Sequence, residues 1–171
     1  MLPGGVSAYV SISPKADGSK NADKSAGGTN GSDVDGLGYD VALSHTGLAD
    51  GLTVFGGFSV IPKYKTATAG VGVDGDKVSK VLGATYAVGG ATIGYQHSIE
   101  DLASSVDGGT SDYTNNAYGV SFSVNDDLSI SYGMHKSERN MNGLASVEVE
   151  AQSIQAAYSM GGATLKIAET E

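Results

Sequence analysis

The side chains best suited to chemistry in this sequence are three histidines, a scattering of acids and one Gly/Asp-rich stretch, and their spacing assembles no catalytic set. His45, His97 and His135 lie far apart, without the His-Glu-x-x-His spacing that puts two ligands on one helix face. Glu148 and Glu150 stand two apart, on one face of an extended segment. Catalytic carboxylate pairs instead face each other from separate strands across a cleft. No Gly-x-Ser-x-Gly nucleophile elbow occurs. The run Gly27-Gly28-Thr29-Asn30-Gly31-Ser32-Asp33-Val34-Asp35 suggests a calcium loop, but Asn30 and Ser32 stand where a repeat-type loop needs Gly and Asp. Asp33-Val34-Asp35-Gly36 also lacks the downstream Glu of an EF-hand. These residues, like Asp74-Gly75-Asp76, read as polar loops. With no Cys, disulfides, zinc fingers and thiol catalysis are excluded. The expectation is a protein that is not an enzyme and holds no metal or cofactor.

What would position any functional group here is a set of strands. Apolar and polar residues alternate along nine segments, the signature of strands with one apolar and one polar face. Val6, Ala8, Val10 and Ile12 open the series, which continues around Leu37–Ser44, Leu52–Val60, Val81–Tyr86 and Thr92–Ile99. It resumes at Tyr118–Val124, Leu128–His135, Ser153–Met160 and Ala163–Ala168. No window carries a sustained helical stripe, and no apolar run is long enough for a membrane helix. Four connections are short and rich in Gly, Asn and Asp: Thr46 to Gly51, Val88 to Gly90, Asn125 to Asp127, and Gly161-Gly162. Between them fall four long ones: Pro14 to Gly36, Pro62 to Lys77, Asp101 to Asp112, and Ser137 to Val147. Strict alternation of short and long puts every short turn at one rim of an up-and-down sheet, as in membrane barrels.

The polar phase consists mainly of Ser, Thr, Gly, Gln and Asn, which suit a crowded aqueous lumen better than the Lys and Glu of a soluble sheet exterior. The apolar phase is aliphatic or aromatic, with little charge in mid-strand, which suits lipid. Both favour an all-β, transmembrane antiparallel up-and-down barrel over a soluble sandwich. The expected lumen-facing residues are Tyr9, Asp40, Thr53, Thr85, Thr92, Gln96, Ser98, Asn115, Ser121, Ser129, Ser131, His135, Gln155, Ser159 and Lys166. Asp40 and Lys166 lead this set, because a mid-strand charge facing lipid is costly. Tyr86, Tyr95, Tyr132, Tyr158 and Phe58 share the apolar phase. Of these, Tyr86 and Tyr158, each just before a short turn, are expected at the membrane interface. His45 and His97 fall on the apolar phase near strand ends. The formal charge of −9, with Arg139 the only arginine, argues against nucleic acid as a partner.

Three hairpins carry a family likeness: Leu82-Gly83-Ala84-Thr85-Tyr86-Ala87-Val88-Gly89-Gly90-Ala91-Thr92-Ile93-Gly94-Tyr95, Gly119 to Gly133, and Ala156 to Ile167. Each is a strand, a tight Gly or Asn/Asp turn and a strand, and each resembles the hairpins of Gram-negative porins, in particular the alphaproteobacterial general porins. The resemblance covers most of the chain from Leu37 onward and is one of pattern. It implies an outer-membrane diffusion channel of about 16 strands, a homotrimer when complete, in contact with outer-membrane lipid and passing small hydrophilic solutes or ions. It also implies that residues 1–171 are a single partial barrel domain lacking the N-terminal part and the last strand, with the constriction loop elsewhere. Met1-Leu2-Pro3-Gly4-Gly5 has neither the basic nor the apolar region of a signal peptide. Two other readings compete: a secreted or surface β-rich adhesion or structural protein whose acidic loops would bind calcium, and a soluble carbohydrate-binding sandwich or β-enzyme.

Overall fold

The computed structural model describes residues 3–13, 37–62, 75–104, 106–160 and 162–171. After a 3-10 turn at Pro3–Gly5 come nine strands: β1 (Val6–Ser13), β2 (Gly38–His45), β3 (Leu52–Ile61), β4 (Lys77–Val88), β5 (Ala91–Asp101), β6 (Thr110–Ser123), β7 (Leu128–Met141), β8 (Val147–Met160) and β9 (Ala163–Thr170). They form one sheet in chain order, each strand antiparallel to the one before. The sheet is not closed: β1 and β9 each pair on one side only. The Gly27–Asp35 stretch and Asp74 lie outside the described residues.

No second layer covers this sheet among the described residues. Val60, 9% exposed, is their single buried hydrophobic side chain. Leu82, Val10 and Ile167 are 68%, 69% and 64% exposed. A soluble sandwich would hide such residues between two sheets and bury the core of an independently stable domain. The competing sandwich reading therefore finds no second sheet among the described residues.

The nine expected strands are present, but several are longer than their alternation. β6 begins at Thr110 and β8 at Val147, close to where the expected connections end but well before the alternation opens at Tyr118 and Ser153, and β7 continues to Met141, past the expected start of its connection at Ser137. In the β7 extension, Lys136-Ser137-Glu138-Arg139-Asn140, both faces are polar, and in the β8 extension the phase reverses, with Val147, Val149 and Ala151 on the face that is polar lower down. The apolar-face pattern is lost while the backbone ladder continues, so it cannot mark the boundary. The connection between β7 and β8 is then only 142–146, no longer than the short turn 46–51. The expected strict contrast in length fails at that pair. Asn142 also ties this connection to the one before it. Its backbone N–H donates to Gly109 O at 2.9 Å, and its Nδ2 donates to Ser104 O at 2.7 Å.

The tight turns follow from their residues. Gly89 takes φ +57°, which the two-residue β4–β5 hairpin requires and which glycine adopts without strain. At 124–127, Asn125 Oδ1 accepts from the backbone N–H of Asp127 (2.9 Å) and Leu128 (2.8 Å). Gly83 is needed for a different reason. It pairs with Phe55, whose ring lies over it, and a Cβ at Gly83 would sit against that ring and 2.8 Å from Tyr95 O. At Gly119 the nearest heavy atom to a built Cβ is 3.9 Å away. Gly83→Ala should therefore cost about 1–3 kcal/mol through overpacking, while Gly119→Ala should be neutral or slightly stabilising. Denaturant unfolding of the two variants checks this, and equal midpoints would contradict it.

Candidate functional site

Strand pairing sorts every described strand residue onto one of two faces, because directly opposed residues share a face. One ladder row runs Ser11–Asp40–Ser59–Ser79–Glu100–Tyr113–Arg139–Val147. The next but two runs Thr53–Thr85–Gly94–Gly119–Gly133–Ser153–Thr170. These rows belong to the polar face. All fifteen residues expected on the lumen side lie on it, Tyr9 opposite Ala42 and Lys166 opposite Ala157 included. The opposite face carries Val41, Phe58, Leu82, Tyr95, Val120, Ile130, Ile154 and Leu165, together with Tyr86 and Tyr158.

Polar groups on the polar face satisfy one another locally. Ser11 Oγ donates to Asp40 Oδ2 at 2.7 Å, Gln155 Nε2 to Ser153 Oγ at 3.1 Å, and Ser159 and Thr164 hydroxyls meet at 3.1 Å. Lys77 and Glu100 form an ion pair. Gly94, Gly119 and Gly133 are directly opposed across β5, β6 and β7, leaving three adjacent strands bare of side chains at one level. Around this strip the polar face is mainly small hydroxyls and bare backbone, and no catalytic groups converge on it among the described residues. His135 pairs with Ala117 and Ala151, far from His45 and His97 on the other face. Glu148 and Glu150 lie on the apolar-phase face of β8, where Lys136 Nζ holds Glu148 at 2.9 Å. No group of three metal-ligating side chains occurs among the described residues.

The apolar face forms a band that slopes against the ladder. The row from Val6, at the turn end of β1, runs through His45, Val54, Ala84, Tyr95, Tyr118, Met134 and Gln152 to Glu171. In β9 the turn end is Ala163, so the band has slipped eight residues over eight strand steps. At the other edge, the row Ile12–Tyr39–Val60–Val78 continues to Asp101, Asp112 and Asn140. In β6 and β7 the apolar residues stop at Tyr118 and Met134, each six residues short of that row. A slip of roughly one residue (~3.3 Å) per strand spacing (~4.8 Å) makes the band level only if the strands lean by roughly 35–40°.

At that lean the aromatics fall into two tiers. Tyr86, Phe122 and Tyr158 lie near the short turns on β4, β6 and β8. Tyr39, Phe58, Tyr95, Tyr118 and Tyr132 lie toward the other edge. Tyr39 and Phe58 meet edge to face (6.0 Å, 87°), and Tyr95 lies 5.1 Å from Tyr118. Tyr95 OH donates to Asn116 Oδ1 at 2.9 Å, and Tyr132 OH to Gln152 Oε1 at 2.9 Å. His97 Nδ1 also bonds Asn116 Oδ1 at 2.9 Å. The hydroxyls thus end on the polar residues just beyond the band. Sequence reasoning missed this second tier as a group. The readable signal was the switch of the same phase from Tyr118 to Asn116 and from Ile154 to Gln152.

No family model matches the chain, and no curated protein matches it in sequence.

The chain has no Cys, so single thiols report each face cleanly. With the protein in lipid vesicles, Ser121→Cys, Ser131→Cys and Gln155→Cys should react with a charged, water-soluble thiol reagent. Val120→Cys, Ile130→Cys and Ile154→Cys should react at least roughly tenfold more slowly, because lipid excludes the reagent. Equal rates at neighbouring positions would mean that both faces meet water.

Proposed function

We propose that the chain is the wall of an outer-membrane β-barrel of the porin type, passing small hydrophilic solutes or ions through a lumen lined by the polar face. The observation that carries this is the sloping apolar band. Strand tilts of 35–45° are those of membrane barrels, and the slip between band and ladder independently demands roughly 35–40°. On β4 the apolar phase, interrupted by Lys80, runs from Val78 to Val88, roughly 26 Å of height at that lean, against an expected apolar band of ~25 Å. On β6 it narrows to Tyr118–Phe122, with the hydrogen-bonded Tyr95–Asn116–His97 group above it. Exposed aliphatic residues over a whole face, with nothing covering them, fit lipid rather than water as the neighbour.

The resemblance to alphaproteobacterial general porins points the same way and adds a trimer in the outer membrane of a Gram-negative cell. The open edges at β1 and β9 need further strands before the wall encloses a lumen. We read the nine strands as part of that larger barrel, with the short turns on the periplasmic side. Catalysis has no place in this reading. The surface adhesin with calcium loops gains no specific support from the described residues.

Solute preference would rest on few charges. Within the height of the band, the polar face carries Asp40 on β2 and Lys166 on β9, each one residue inside the band's upper edge on its own strand. In planar bilayers, the protein with its edges completed should give discrete current steps; a soluble monomer with no steps would discard the channel. Asp40→Asn should lower the cation-over-anion permeability ratio, and Lys166→Gln should raise it. Each shift should be about twofold, the effect of one charge at ~10 Å in water. The ratio is read from reversal potentials in a salt gradient.

A further inference from the structure

The polar face is not level. Two of its neighbouring ladder rows enclose an open hollow of about 550 Å³. The row away from the short turns is Asp40–Ser59–Ser79–Glu100. The row nearer to them is Ala42–Gly57–Val81–Ser98–Asn115. Between the two runs Val41–Phe58–Lys80–Ile99 of the opposite face, which gives the hollow its backbone while its side chains point the other way. From Asp40 on β2 to Glu100 on β5 is three strand spacings, roughly 14 Å. Ala42, Gly57 and Val81 make a floor without a polar side chain. Around it stand the half-buried hydroxyls of Ser59, Ser79 and Ser98 and the half-buried amide of Asn115.

Charge sits at the two ends. Glu100 is neutralised by Lys77, diagonal to it on β4. Asp40 accepts from Ser11 Oγ at 2.7 Å and makes no ion pair with a described residue. The other cations on the polar face of the described strands, Arg139 and Lys166, lie five and seven strands from it. The hollow therefore carries one uncompensated negative charge, at its β2 end. An apolar floor ringed by hydroxyl and amide groups fits a molecule with one apolar face and polar edges. A pyranose ring is such a molecule, with C–H bonds on its face and hydroxyls around its rim. We infer that the hollow is a subsite for an amino sugar, with the ring over Ala42, Gly57 and Val81 and the protonated amine at Asp40. The inference rests on the channel reading and deepens it by naming a class of solute. Every group it uses lies on β2 to β6, so none of it waits on the strands that would close the barrel.

Ligand-observed NMR titration of the chain in detergent micelles tests this with glucosamine, glucose and ethanolamine. The titrations run at about pH 6, where the amines are protonated and a carboxylate is ionised. Glucosamine should bind about fivefold more tightly than glucose, the effect of one charge pair at ~4 Å in water. It should also bind more tightly than ethanolamine, which offers the amine without the ring. Asp40→Asn should bring glucosamine down to the affinity of glucose and leave glucose unchanged. Val81→Phe, which raises the floor, should weaken both sugars. Ala42→Leu raises the floor from β2 and replaces that variant if it loses β-structure. Two sugars that bind alike, or glucosamine unmoved by Asp40→Asn, overturn the amine contact and with it the amino-sugar subsite. Ethanolamine as tight as glucosamine overturns the ring seat and leaves a wall that merely attracts cations. Sugar binding untouched by the floor variants places the sugar elsewhere. Circular dichroism separates this from the broader reading: a chain that does not enter micelles as β-structure sinks both, whereas a folded, micelle-bound chain that binds no sugar sinks only the subsite.

Discussion

The antiparallel backbone ladder is the interaction on which this protein depends. Val60 is the only buried hydrophobic residue among those described, so no packed interior holds the nine strands together. Each strand is held by hydrogen bonds to its neighbours and by whatever wets its two faces. In water a hydrogen bond between peptide groups contributes little net stability, because water competes for both partners. In hydrocarbon the competition vanishes, and an unpaired group costs several kcal/mol. The same ladder that is marginal in water becomes close to obligatory in lipid. A single-layer sheet with an apolar face is thus favoured more by a bilayer than by water.

The slope of the apolar band against that ladder links local residue choice to global shape. Neither the ladder nor the alternation alone contains a tilt. Ladder rows fix which residues are opposite, and hydrophobicity fixes which residues share one medium. Only where the two disagree, by about one residue per strand, does an angle emerge. The two aromatic tiers follow the slope and not the rows. Tyr118 shares a row with Val6 at the turn end of β1, yet belongs to the tier away from the turns. Its neighbour Tyr95 completes the point by donating to Asn116, beyond the band.

Period-two alternation made nine strands and both faces legible before any coordinates, because in these segments one face is apolar and the other is small and polar. Val120-Ser121-Phe122-Ser123 shows the contrast at its clearest. The far ends of β6 and β7 were not legible from alternation, since Thr114, Asn116, Lys136 and Glu138 put polar groups on the phase that is apolar lower down. Where both faces are polar, nothing in residue type distinguishes strand from loop, and only register does. For the same reason, the Gly94–Gly119–Gly133 strip could not be seen as a unit. Three glycines some 14 to 25 residues apart become neighbours only once pairing is known.

The edges set a constraint of direction as well as of cost. Every adjacent pair is antiparallel, so β1 and β9 run the same way. They cannot meet each other in the pattern that joins all the rest. A parallel junction is possible but slightly weaker per residue. An odd number of intervening strands restores the antiparallel pattern and makes the total even, as in single-chain bacterial barrels. Until then the two edges expose rows of N–H and C=O groups: in lipid a direct penalty, in water a template for pairing with any extended chain. β9 is exposed along its whole length and carries Lys166 on its polar face, a charge that discourages edge pairing in water.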